Sequence, residues 1–145
     1  MFNNRILIVE DEIADWEPLK MFLEIAGFSV NVVEYARHAV LEIAGARKEQ
    51  NPYLFIITDM ELRNSSGEKS ADKMGGITVI EGALKDNADL KNSILVLSGR
   101  MDFEDKRREK LQKYGIAEKQ ILIKPVSPDT IVSLIGEITG ISNEK

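Results

Sequence analysis

The sequence predicts an α/β domain built on a mostly parallel sheet. Three observations lead there. The runs Ile6–Val9, Phe55–Thr58, Ile94–Leu97 and Ile121–Ile123 are nearly continuous in apolar character, as strands covered on both faces are. Segments with helical spacing of apolar residues lie between them, so strands and helices take turns. The alternation also uses up the 145 residues, leaving no segment for a second domain, so 1–145 reads as one unit.

Each element has its own justification. After the first strand, Leu19, Phe22, Leu23 and Ala26 share one helical face. Gly27 can end that helix, and Pro18 is expected in its first turn, where a missing N–H does little harm. In Ser29–Glu34, Val30 and Val32 alternate with Ser29 and Asn31, which suits an exposed edge strand. Ala39, Val40, Ile43 and Ala44 make a second helical stripe, and Ile77, Ile80 and Leu84 a third. Asp102 to Tyr114 carries acids early, bases late and Gly115 after it, which suits the helix dipole. Ser127-Pro128 reads as an N-cap with a first-turn proline, ahead of Ile131, Leu134, Ile135 and Ile138 on one face. Between the third strand and third helix, residues 62–75 are polar and aperiodic, longer than the roughly 2–6 residues usual for such loops. That length points to a lid, a partner-selecting loop or a disordered insertion.

Composition narrows the function classes. Apolar content of 43% and charged content of 30% are those of a soluble globular chain. A net charge of −5 argues against general nucleic-acid binding, and the absence of cysteine excludes disulfides and thiolate metal sites. No apolar run is long enough for a signal peptide or a membrane span, so the expected location is the cytoplasm.

Polar residues follow four of the strands: Glu10-Asp11, Asp59, Ser98 and Lys124-Pro125. In an open α/β sheet, ligands bind beyond the carboxyl ends of the strands, so these groups are expected in one pocket. Carboxylates at ~4 Å repel by about 4 kcal/mol at an effective dielectric near 20, which calls for a proton or a cation. Oxygen ligands without histidine or cysteine favour Mg²⁺. Lys124 adds a positive charge and Ser98 a donor, so the set suits a phosphoryl group, with a carboxylate as acceptor.

With these residues in order, the chain resembles a response-regulator receiver domain of two-component signalling, of the stand-alone type, over about Arg5 to Ile138. The resemblance implies a flavodoxin-like, doubly wound, five-stranded parallel sheet in order 2-1-3-4-5 with five helices. It implies that Asp59 takes a phosphoryl group from a phosphohistidine on a sensor histidine kinase or histidine phosphotransfer protein. Mg²⁺ would be held by Asp11, Asp59 and the backbone carbonyl of Glu61, with Glu10 often acting through water. Lys124 would pair with the carboxylate and then the phosphoryl oxygens, Ser98 would swing inward, and the Lys124–Pro125 bond would be cis. The readout would pass through the fourth and fifth helices to a downstream protein, from a monomer or weak phosphorylation-dependent dimer, with no direct nucleic-acid or membrane contact. Such a chain is not a turnover enzyme, although it assists its own phosphorylation and dephosphorylation.

Three departures from the family pattern stand out. Arg63 occupies the place of a usual proline, and the loop reaches its matching glycine only at Gly76. Ile121 stands where an aromatic switch residue is common, and Gly99 where alanine is frequent.

Other residues have milder readings. His38 reads as a half-exposed structural histidine, Trp16 as a packing or rim residue, and Lys106, Arg107, Arg108, Lys110 and Lys113 as a solvated helix face. Gly75-Gly76 reads as freedom to enter the third helix. Glu61 and Arg100 are expected to pair over the phosphoryl group. One rival reading is a haloacid-dehalogenase-like, Mg²⁺-dependent aspartyl-phosphate phosphatase, although here the acidic pair comes first and Glu61 stands two residues after Asp59. Another is a receiver-like binding module that is never phosphorylated.

Overall fold

A computed structural model describes residues 3–99, 101 and 105–140. Five strands, β1 (Arg5–Val9), β2 (Ser29–Val33), β3 (Phe55–Asp59), β4 (Ile94–Ser98) and β5 (Ile121–Ile123), form one sheet. All pairings are parallel and the order is 2-1-3-4-5, as expected. Five α-helices lie between and after them: α1 (Ile13–Ile25), α2 (Ala36–Lys48), α3 (Gly75–Asp86), α4 (Lys106–Lys113) and α5 (Pro128–Thr139). Two short 3-10 turns, Ala88–Ser93 and Glu118–Gln120, precede β4 and β5 and were not foreseen in the sequence.

The strand period of two sorts the apolar side chains onto two faces. Ile6, Ile8, Phe55, Ile57, Leu95 and Leu97 face α1 and α5, where Leu19, Leu23, Ile131 and Ile135 meet them. Leu7, Val9, Ile56, Ile94 and Val96 face α2, α3 and α4. β1, β3 and β4 are therefore covered on both sides, which explains their unbroken apolar runs. β5 is a correction: it forms the second edge of the sheet, and Ile123 is 44% exposed.

Helix ends follow capping chemistry. Ser127 Oγ accepts from Thr130 N, Pro128 opens α5, and Asp105 accepts from Arg107 N at the start of α4. Gly27 and Gly115 take positive φ after α1 and α4. α4 begins at Lys106, later than the acidic stretch implied; Asp102 to Glu104 lie outside the described residues.

Pro18 also needs correcting. It lies inside α1, because the helix begins at Ile13 rather than near Leu19. The preceding turns carry exposed residues, including Ile13 at 58%, so their sequence shows no stripe.

The 62–75 segment is an ordered strap. Leu62 and Asp72 form an antiparallel bridge (3.1 and 2.9 Å). The Asp72 carboxylate accepts from Met74 N (2.7 Å) and Asn64 Nδ2 (3.0 Å). No helix among the described residues is long and apolar enough to cross a membrane.

Candidate functional site

Register assembles the site. Val9 pairs with Thr58, Asp59 with Leu97, and Ser98 with Ile123, so the next residues of each strand emerge side by side. Three backbone bonds carry the alignment past the strand ends: Glu10 N to Val33 O, Met60 N to Leu97 O, and Lys124 N to Ser98 O. The Lys124–Pro125 peptide is cis, as expected.

Gly75 and Gly76 let the start of α3 close onto this edge. A Cβ at Gly76 would lie 2.7 Å from the Asp59 carbonyl oxygen, and one at Gly75 would lie 2.5 Å from the Leu62 carbonyl oxygen. Space, rather than the backbone freedom read from the sequence, explains the pair.

Glu10, Asp11 and Asp59 each place a carboxylate oxygen within 4.8 Å of the others. Glu10 and Asp59 are buried, at 3% and 6% exposure. Lys124 Nζ donates to Glu10 Oε2 (3.0 Å), Asp59 Oδ2 (3.2 Å) and Asp15 Oδ2 (3.2 Å). On the opposite side, Arg63 Nε donates to Asp11 Oδ2 (3.2 Å).

Burial, reinforced by the charge of Asp59, pushes Glu10 up to about 8 against the pull of Lys124. Asp59 is also raised, chiefly by burial. Burial pulls Lys124 down, but the charges of Asp59 and Glu10 outweigh it and hold the ammonium above its usual range. Asp59 Oδ1 is buried without a donor when its neighbours are charged; a proton held by Glu10 is the hydrogen-bonding alternative. An oxygen-only donor set with an orphaned, buried carboxylate oxygen fits a hard divalent cation such as Mg²⁺.

Ser98 is fully buried. Its hydroxyl donates to the Glu61 carboxylate (3.0 and 3.1 Å), which also accepts from Gly99 N (3.2 Å) and Arg107 Nη1 (2.8 Å). Arg107 further donates to the Lys73 carbonyl (3.1 Å) and Asp105. The solvated reading of the α4 basic run therefore fails for two residues. Arg107 is enclosed by carboxylates, and Arg108 is buried, donating to the Met101 carbonyl and Glu118. The expected Glu61–Arg100 pairing falls on Arg100, which lies outside the described residues.

Trp16 lines the small space behind Glu10, Asp59 and Lys124 and packs against the α1–α5 core. His38 is exposed and stands edge-on to Tyr35. Ile121 is buried at the start of β5.

Sequence reasoning missed Asp15 and gave no role to Arg63 or Arg107. Asp15 carried no signal, because the sequence reading began the first helix near Pro18, whereas α1 starts at Ile13. Arg107 was hidden in a run of like charges.

Topology and site together describe a doubly wound domain with acids just after β1 and at the last position of β3, a hydroxyl at the last position of β4 and a lysine just after β5. No protein-family model matches the chain, and no curated protein matches it. Solved structures do match. A CheY-like response-regulator receiver domain protein from Methanospirillum hungatei JF-1 is 24% identical, with TM-score 0.69 over 96% of this chain and 95% of that one. A response-regulator receiver domain protein from Clostridium thermocellum is 20% identical, with TM-score 0.66 over 94% of both. The beryllofluoride-activated NtrC4 receiver domain dimer is 21% identical, with TM-score 0.68 over 94% of this chain and 97% of that one. The chain thus has the receiver fold over nearly its whole length.

Proposed function

We propose that this protein is a phosphoacceptor switch of two-component signalling. The observation that carries the reading is the joint placement of Lys124, Glu10, Asp11 and Asp59 at one strand edge. The phosphoryl donor is a phosphohistidine on a sensor kinase or phosphotransfer protein. An Asp59 oxygen attacks phosphorus, a P–O bond forms, the P–N bond breaks, and the imidazole leaves with that electron pair.

Asp11, Asp59 and the Glu61 backbone carbonyl would hold Mg²⁺, with Glu10 behind them; when bound, it supplies positive charge to the phosphoryl oxygens. Lys124 is placed to exchange a carboxylate partner for a phosphoryl oxygen. Ser98 reaches the phosphoryl group only by leaving Glu61, and Glu61 is tied to Arg107 at the start of α4. Rotation of one hydroxyl therefore perturbs the contacts that fix α4, which supports α4, β5 and α5 as the surface read by a downstream protein. With Ile121 in place of an aromatic, the Glu61–Arg107 connection supplies a route from the site to α4.

The experiment is incubation with acetyl phosphate and Mg²⁺, followed by intact-mass analysis. Wild type is expected to gain one phosphoryl group and Asp59→Asn none. No gain in wild type would favour the non-phosphorylated binding module. Sustained hydrolysis of a phosphomonoester would favour the phosphatase.

A further inference from the structure

We propose that Arg63 is a built-in counter-ion of the acidic site, which lowers its affinity for a divalent cation and ties metal occupancy to the 62–75 strap. This rests on the magnesium-assisted reading above and adds a regulatory residue to it.

Arg63 is held from several sides. Its backbone carbonyl accepts from Ala36 N (3.0 Å), and that of Asn64 from Arg37 N (3.2 Å). These are the first N–H groups of α2, whose N-cap residue, Tyr35, provides no side-chain cap. The strap itself therefore caps α2, which fixes the point from which the Arg63 side chain departs. Its guanidinium lies over the Tyr35 ring, 5.3 Å from the centroid, while Nε donates to Asp11 Oδ2. The Arg63 side chain is 30% exposed and that of Asp11 only 11%.

The consequence is electrostatic. Three carboxylates face two fixed cations, Lys124 on one side and Arg63 on the other. A divalent ion that engages Asp11 must approach the guanidinium or displace it. A unit charge and a divalent charge about 6 Å apart disfavour binding by about tenfold even at the dielectric of water. Linkage requires the converse, that metal binding weakens the Arg63–Asp11 bond. Because the Arg63 carbonyl accepts from Ala36 N and the adjoining Asn64 carbonyl from Arg37 N, the disturbance reaches both amides.

The test is a titration of the whole chain with MgCl₂ at constant, low ionic strength. Trp16 fluorescence and the Ala36 and Arg37 amide shifts serve as readouts. Arg63→Gln is expected to tighten the Mg²⁺ midpoint by about tenfold, and Arg63→Lys, which keeps the charge, to stay near wild type. In wild type the two amides should move with the Trp16 midpoint; in Arg63→Gln they should not follow it. Thermal midpoints in chelator check that each variant is folded. An unchanged or weaker midpoint in folded Arg63→Gln overturns the counter-ion role while leaving the site reading intact. No Mg²⁺ response in wild type overturns both.

Discussion

Replacing Asp59 by asparagine should stabilise the metal-free protein, although it destroys the proposed acceptor. Its carboxylate has oxygens of Glu10 and Asp11 within 4.8 Å. At an effective dielectric near 20, each fully charged pair at that separation repels by about 3.5 kcal/mol, together about 7. Lys124 at 3.2 Å returns about 5 kcal/mol on the same scale. The balance is about 2 kcal/mol against the carboxylate, before the cost of burying it. An isosteric amide removes that repulsion, and its NH₂ can donate to Glu10. For a chain of this size the gain corresponds to roughly 5–8 °C in Tm. The assay is thermal denaturation followed by circular dichroism at about pH 9.5 in chelator, above the range near 8 in which Glu10 ionises, so that the pair is fully charged. Millimolar Mg²⁺ should narrow the gap, because wild type gains more from binding the ion than the variant does. Equal or lower stability of Asp59→Asn in chelator would refute the electrostatic account of the site.

The other predictions concern neighbouring groups. Glu10 keeps its proton in the folded state up to about pH 8 but loses it near 4.5 when unfolded. The unfolded chain therefore binds fewer protons across that window, and metal-free stability should fall as pH rises through it. The slope should be on the order of 1 kcal/mol per pH unit, the raised Asp59 acting in the same direction from 3.8 upward. Denaturant melts of wild type and Glu10→Gln against pH should show the slope flattened in the variant. Lys124→Ala leaves two buried carboxylates without their cation and should cost about 2 kcal/mol at pH 8, with the loss shrinking toward pH 5; urea unfolding at both pH values checks this. Gly76→Ala drives a methyl group against the Asp59 backbone and should destabilise by about 1–3 kcal/mol, while slowing acetyl-phosphate labelling more than Gly67→Ala, whose Cβ meets nothing.

The sequence revealed the parts of the site that follow strands. Glu10, Asp59 and Lys124 could be read because an apolar run sets where its strand stops, and the next residue must emerge at the sheet edge. Asp15 and Arg107 sit on helices whose entry angle depends on packing. Pro18 was misplaced for a related reason: the exposed first turns of α1 carry no apolar stripe. The strap looked aperiodic because its order rests on single polar contacts, Asp72 to Asn64 and Met74, and on carbonyls that cap α2.

By itself the sequence determined the alternation of strand and helix and which acids, hydroxyl and lysine stand at strand ends, since periodicity and strand length are local properties of the chain. Only the tertiary structure decided which cation neutralises which carboxylate. Lys124 reaches Glu10 across 114 positions and Arg63 reaches Asp11 across 52, and such partners are chosen by register and helix docking rather than by local spacing. The same holds for Ser98, whose hydroxyl the sequence placed at the pocket but whose present partner, Glu61, follows from how β3 and β4 leave the sheet together.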